Sequence, residues 1–124
     1  MAKRILVIDD QESMLNIVAQ MLRNKGFEVS TALNGEEGFN VFIQDPNSFN
    51  LILADVNMPK LDGFEFLKKI KSKYKLPPVI FVTGMNEDVI KVVGEEYKVD
   101  GIINKPFVVE DALEVINEAL QIGS

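Results

Sequence analysis

The chain has 124 residues, 47% of them apolar, with a formal net charge of -6, which suits one compact domain burying roughly two thirds of its unfolded surface and leaves no room for a second. It contains no cysteine and no histidine, which excludes disulfides, thiolate nucleophiles, zinc clusters and imidazole bases and leaves carboxylates, hydroxyls and amines to carry any chemistry. The acidic balance argues against a direct grip on nucleic acid, and no apolar run approaches membrane-spanning length.

In chain order, Arg4 to Ile8 is the first expected strand. Its apolar run is followed at once by Asp9 and Asp10, so no signal sequence is expected there. Met14, Val18, Met21 and Leu22 share a helical face, and Gly26 supplies the stop after it. Phe27 to Thr31 is the second strand. Asn34, followed by Gly35, Glu36 and Glu37, has the pattern of a helix N-cap with a capping-box acid. Phe39, Phe42 and Ile43 form that helix's stripe, and Asp45 and Pro46 end it.

Leu51 to Ala54 offers no polar face, as in a strand covered on both sides, and stops on Asp55. Leu67, Ile70 and Tyr74 mark a third helix, Pro78 to Val82 a fourth strand, and Ile90, Val93 and Tyr97 a fourth helix. Gly101 to Ile103 is a short fifth strand, and Val109, Ala112, Leu113, Ile116 and Ala119 face the core from a fifth helix. Five strands alternating with five helices predict an α/β fold with a doubly wound parallel sheet. Ligands of such sheets bind beyond the carboxyl ends of the strands.

The residues at those ends are Asp9 and Asp10, then Asp55, Thr83 and Lys105. Each alone has a plain structural reading. Asp55 can start a turn, Asp10 can begin a helix, Thr83 can cap one and Lys105 can be a solvated loop charge. Together, three carboxylates at one sheet edge repel one another unless a proton or a cation intervenes. Oxygen ligands without nitrogen or sulfur suit Mg²⁺, which takes one or two carboxylates plus phosphate oxygens. Asp55 can then serve as a phosphoryl-accepting nucleophile, with Lys105 balancing charge, Thr83 donating a hydroxyl hydrogen bond and Gly84 leaving room beside it.

With Asp9 and Asp10, Asp55, Met58, Pro59, Asp62 and Gly63, Thr83 and Gly84, and Lys105, Pro106 and Phe107 in this order and spacing, the chain resembles the receiver domains of two-component response regulators, of the chemotaxis-regulator type, over essentially its whole length (1–124). The resemblance implies a flavodoxin-like sheet of order 2-1-3-4-5 and Asp55 as phosphoacceptor. It implies Mg²⁺, with Mn²⁺ as a substitute, held by Asp10, Asp55 and the Asn57 backbone carbonyl, with Asp9 acting through metal-bound water. Thr83, Gly84 and Lys105 would bind the phosphoryl group. Pro59, Gly63 and Pro106 would be structural, with a cis peptide joining Lys105 and Pro106. Where the family often has Tyr or Phe three residues before the lysine, this chain has Ile102. Thr83 and Ile102 are therefore the switch positions, with the aromatic reporter missing. Met85 and Asn57 would tune hydrolysis of the acyl phosphate.

The expected function is a cytoplasmic phosphorylation switch. A sensor histidine kinase or phosphotransfer protein supplies the phosphoryl group, and a downstream target or fused effector domain receives the output. The surface around the 90–97 helix, the Gly101 to Ile103 strand and the 109–119 helix would change its affinity. No membrane partner is expected, and the chain would be a monomer or a phosphorylation-linked dimer. Its only catalysis would be its own phosphorylation and dephosphorylation. A degenerate receiver that docks partners regardless of phosphorylation is the alternative. An aspartate-nucleophile phosphohydrolase would want a second aspartate where Asn57 stands, and a flavin module would not place Asp9 and Asp10 where a phosphate cradle belongs.

Overall fold

The structure, a computed structural model, describes residues 2–56, 63–84, 95, 99–105 and 107–122. Its elements are β1 (Arg4–Ile8), α1 (Glu12–Asn24), β2 (Glu28–Ala32), α2 (Gly35–Gln44), β3 (Leu51–Asp55), α3 (Gly63–Lys71), β4 (Val79–Thr83), β5 (Gly101–Asn104) and α4 (Val109–Ile122). All strand pairs are parallel and the order is β2-β1-β3-β4-β5, the flavodoxin-like arrangement expected. The helix expected around Ile90, Val93 and Tyr97 lies outside the described residues, so the structure shows four helices where the sequence predicts five.

Side chains alternate across a strand, so each strand feeds two cores. Leu6, Ile8, Ile52, Ala54, Val79 and Phe81 pack with Phe42 of α2 and with Phe66, Leu67 and Ile70 of α3. Their neighbours Ile5, Val7, Leu51, Leu53 and Ile80 pack on the other face with Leu15, Val18 and Leu22 of α1 and Ala112, Ile116 and Ala119 of α4. Helices therefore cover both faces, and β3, the middle strand, is buried along its whole length. Phe42 anchors the first core, stacked on Phe49 at 5.8 Å between ring centroids and meeting Tyr74 edge-on at 6.0 Å.

The termini of α1 and α2 follow the expected chemistry. Gly26 has φ +92°, its N–H donates to Arg23 O at 3.0 Å and the Phe27 N–H donates to Leu22 O at 3.2 Å, which is a Schellman closure. The Phe27 N–H is thus committed to the helix end, and β2 starts at Glu28, one residue later than expected. The buried face of α1 is Leu15, Val18, Ala19 and Leu22, with Met14 and Met21 half-buried beside it. At α2, Asn34 Oδ1 accepts from the Glu37 N–H at 2.8 Å.

Opposite the carboxyl ends of the strands, Arg4 ties three segments together. Its guanidinium donates to Ser48 Oγ and Ser30 Oγ at 2.7 and 3.2 Å and lies 4.4 Å from the centroid of the Phe49 ring. Asp100 fastens the last pair of strands, accepting from the Val79 N–H at 2.8 Å. Gly101 lets α4 approach β5, because a Cβ there would lie 2.7 Å from Val115 Cγ1.

Asn34→Ala removes the only side-chain cap seen on α2 among the described residues and is expected to cost about 1 kcal/mol of stability. Urea unfolding of the variant beside the wild type measures it.

Candidate functional site

The strand ends converge where the chain changes direction in the sheet, between β1 and β3. Each end carries its polar residue on a backbone held by one further hydrogen bond past the apolar run. The Asp9 N–H donates to Ala32 O at 3.1 Å, the Val56 N–H to Val82 O at 3.4 Å and the Lys105 N–H to Thr83 O at 2.8 Å. Asp55 and Thr83 are the last residues of β3 and β4. They hold their positions because ladder bonds are made by the backbone, whatever the side chain.

Lys105 Nζ lies 3.1 Å from Asp9 Oδ2 and 3.1 Å from Asp55 Oδ2, donating to both. Asp9, Asp55 and Thr83 are only 5%, 6% and 2% exposed, so these charges face each other with little water between them. Burial on its own pulls the Lys105 ammonium toward deprotonation. The hydrogen bonds and negative charges of Asp55 and then Asp9 outweigh it and hold Lys105 above the ordinary lysine value.

Asp10 is exposed, yet its carboxylate joins those of Asp9 and Asp55 in a group in which one oxygen from each lies within 4.8 Å of the others. That is near the roughly 4.2 Å between opposite ligands of an octahedral Mg²⁺. With all three ionised, three carboxylates and one ammonium leave a charge of -2. A divalent cation matches that deficit, and the all-oxygen donor set fits Mg²⁺.

The sequence did not show how Asp9 is oriented. Its Oδ1 accepts from the Gln11 N–H at 2.9 Å, an Asx turn two residues on, while Oδ2 is taken by Lys105. Asp-Asp-Gln after a strand permits this turn but does not specify it. Gly84 is exposed beside Thr83, and a Cβ added there meets nothing within 4 Å. Ile102 pairs with Phe81 in the sheet and is half-buried. Asn57, Met58, Pro59, Asp62, Met85 and Pro106 lie outside the described residues. Gly63 opens α3.

Residues 5–117 match the response regulator receiver domain family. The alkaline phosphatase synthesis transcriptional regulatory protein PhoP of Bacillus subtilis is 36% identical over 107 residues, covering 86% of this chain and 44% of that protein. The transcriptional regulatory protein CpxR homolog of Haemophilus influenzae is 38% identical over 104 residues, covering 84% of this chain and 44% of that protein. The chain thus spans less than half the length of these relatives. Among solved structures, a response regulator receiver domain protein from Clostridium thermocellum superposes with a TM-score of 0.88 at 31% identity, over 97% of this chain and 95% of that one. The chemotaxis protein CheY4 of Vibrio cholerae gives 0.85 at 31% identity, over 96% and 99%.

The raised Lys105 predicts a particular pH dependence. Its stabilising contribution is fully present below the unfolded lysine value of about 10.4 and is lost as pH rises from there through the higher folded value. Lys105→Gln is expected to be less stable than the wild type at neutral pH, with the difference shrinking across that alkaline window. Urea midpoints of both chains over the pH range measure it.

Proposed function

Because the chain belongs to the response regulator receiver domain family, we propose that it is a phosphoacceptor switch in which Asp55 takes the phosphoryl group. The carrying observation is the placement of Asp55 and Asp9 around Lys105 Nζ, with Asp10 beside them. Receiver domains of two-component response regulators are signalling modules, and this chain's catalysis is limited to its own phosphorylation and dephosphorylation. No described helix is long and apolar enough to cross a membrane. We take residues 1–124 as one receiver acting in the cytoplasm. A sensor histidine kinase or phosphotransfer protein is the donor. Its output passes to a downstream protein or a fused effector domain, in keeping with the transcriptional regulators among its relatives.

In the proposed reaction an Asp55 carboxylate oxygen attacks phosphorus in line. The new O–P bond forms as the donor's P–N bond breaks and the imidazole nitrogen keeps the electron pair. Bound Mg²⁺, or Mn²⁺ in its place, would supply positive charge against the phosphoryl oxygens. Asp10 suits direct ligation because it is exposed. Asp9 suits an indirect role through water, since both its oxygens already accept hydrogen bonds. Asp55 and the Asn57 backbone carbonyl complete the proposed ligand set. Once the dianionic group is in place, Lys105 exchanges a carboxylate for a phosphoryl oxygen and Thr83 and Gly84 face the group. That charge gain biases a two-state equilibrium, read out through Thr83 and Ile102. Pro59, Gly63 and Pro106 would have structural roles in this reading.

Incubation with acetyl phosphate and Mg²⁺ is expected to add about 80 Da to the intact mass, the increment of one phosphoryl group. The adduct is expected to vanish in Asp55→Asn and in EDTA. An adduct surviving in Asp55→Asn would overturn the assignment. A folded wild type that gains no mass, with hydrolysis shown too slow to hide it, would favour a docking module in which Ile102 replaces the aromatic switch.

A further inference from the structure

The charges outside the site are not evenly spread. Five of the chain's 13 basic residues, Lys68, Lys69, Lys71, Lys73 and Lys75, fall within eight positions at the end of α3, and no acidic residue occurs between Glu65 and Glu87. All five are exposed. From position 106 onward the reverse holds, with Glu110, Asp111, Glu114 and Glu118 and no base. These four are exposed on α4, and at 100° per residue Glu110, Glu114 and Glu118 line one stripe.

Helix dipoles explain part of this. Lysines in the last turn of α3 and acids in the first turn of α4 each meet the opposite partial charge of their own helix. Lys73 and Lys75 lie past the end of α3, however, and Glu114 and Glu118 lie beyond the first turn of α4. Among the described residues none of these four is in an ion pair, the bridges there being those of Lys105.

The two patches sit on opposite faces of the sheet, α3 over one core and α4 over the other, so they cannot meet within one molecule. Glu110 to Glu118 spans about 12 Å of helix. We propose that the Lys68 to Lys75 knot of one copy docks on the acidic stripe of α4 in a second copy, giving a salt-sensitive head-to-tail association. A contact between two different faces leaves a free patch at each end, so it extends into short chains of copies and does not close as a two-fold pair. The net charge of -6 opposes this weakly at about 0.1 M salt, where the Debye length of roughly 10 Å is well below the separation of molecular centres, while side chains in contact still attract. The association as proposed needs no phosphoryl group, although α4 also belongs to the surface expected to change its affinity on phosphorylation.

Sedimentation velocity over a concentration series tests it at about 0.1 M and about 1 M NaCl, where the Debye length falls to roughly 3 Å. The weight-average sedimentation coefficient is expected to rise with concentration at the lower salt and stay flat at the higher. The double variants Lys73→Glu with Lys75→Glu, and Glu114→Lys with Glu118→Lys, are each expected to stay monomeric alone and to associate when mixed, because the intact knot of one then meets the intact stripe of the other and the two swapped patches are again opposite in charge. Circular dichroism confirms that both are folded. A wild type that stays flat at the lower salt overturns the proposal, as does a rise that survives in either variant alone. So does a monomeric chain whose lysine knot instead binds a polyglutamate peptide or a DNA duplex, which would assign the patch to another kind of partner.

Discussion

Two buried carboxylates share one ammonium, and the arrangement of the site depends on that sharing. Lys105 Nζ at 3.1 Å from both Asp9 and Asp55 permits β1 and β3 to end in aspartates beside each other without pushing those strands apart. Without that ammonium, two carboxylates of about 5% exposure would have to protonate or draw in water, since buried like charges are costly. The same ammonium leaves the group of three acids short of neutrality. That residual charge suits the strand ends to a divalent cation and, in the function proposed, to a phosphoryl group beside it.

The sheet makes this electrostatic arrangement rigid. Asp9, Val56 and Lys105 each extend a ladder by one hydrogen bond beyond the apolar run, and the last residues of those runs, Ile8, Ala54 and Ile103, are buried. A site on such strand ends keeps its geometry while loops around it change partners. The opposite edge of the sheet, held by Arg4, Ser30, Ser48 and Phe49, has a structural role only in what is described. Charge is again clustered outside the site, with five exposed lysines at and just past the end of α3 and four exposed acids on α4. A domain of net charge -6 can therefore still present a local positive patch.

Much of the fold was legible because burial leaves a direct imprint on β1, β3 and β4, whose apolar runs could be nothing else in a two-faced sheet. The apolar runs ending at Ala54, Val82 and Ile103 stop one residue short of β3, β4 and β5, because polarity marks the end of the run while backbone pairing continues through Asp55, Thr83 and Asn104, and β2 likewise continues past Thr31 to Ala32. Phe27 was read into β2 because its apolar side chain gives no hint that its N–H closes α1. On α1 the face expected from Met14, Val18, Met21 and Leu22 is buried at Val18 and Leu22 and only half-buried at the two methionines, with Leu15 and Ala19 completing it. The identities of Asp9, Asp10, Asp55, Thr83 and Lys105 were visible as polar residues after buried runs. Their pairing was not, because a lysine some 50 residues from one aspartate and 96 from the other finds them only through the strand order.

The most direct measurement is a Mg²⁺ titration of the unphosphorylated chain, followed by its thermal unfolding midpoint, beside Asp10→Asn. Mg²⁺ that fills the charge deficit binds the folded state alone, so the midpoint should climb with its concentration in the wild type and climb much less in the variant. A midpoint indifferent to Mg²⁺, or an equal climb in Asp10→Asn, would contradict the view that these strand-end carboxylates are built to receive a cation.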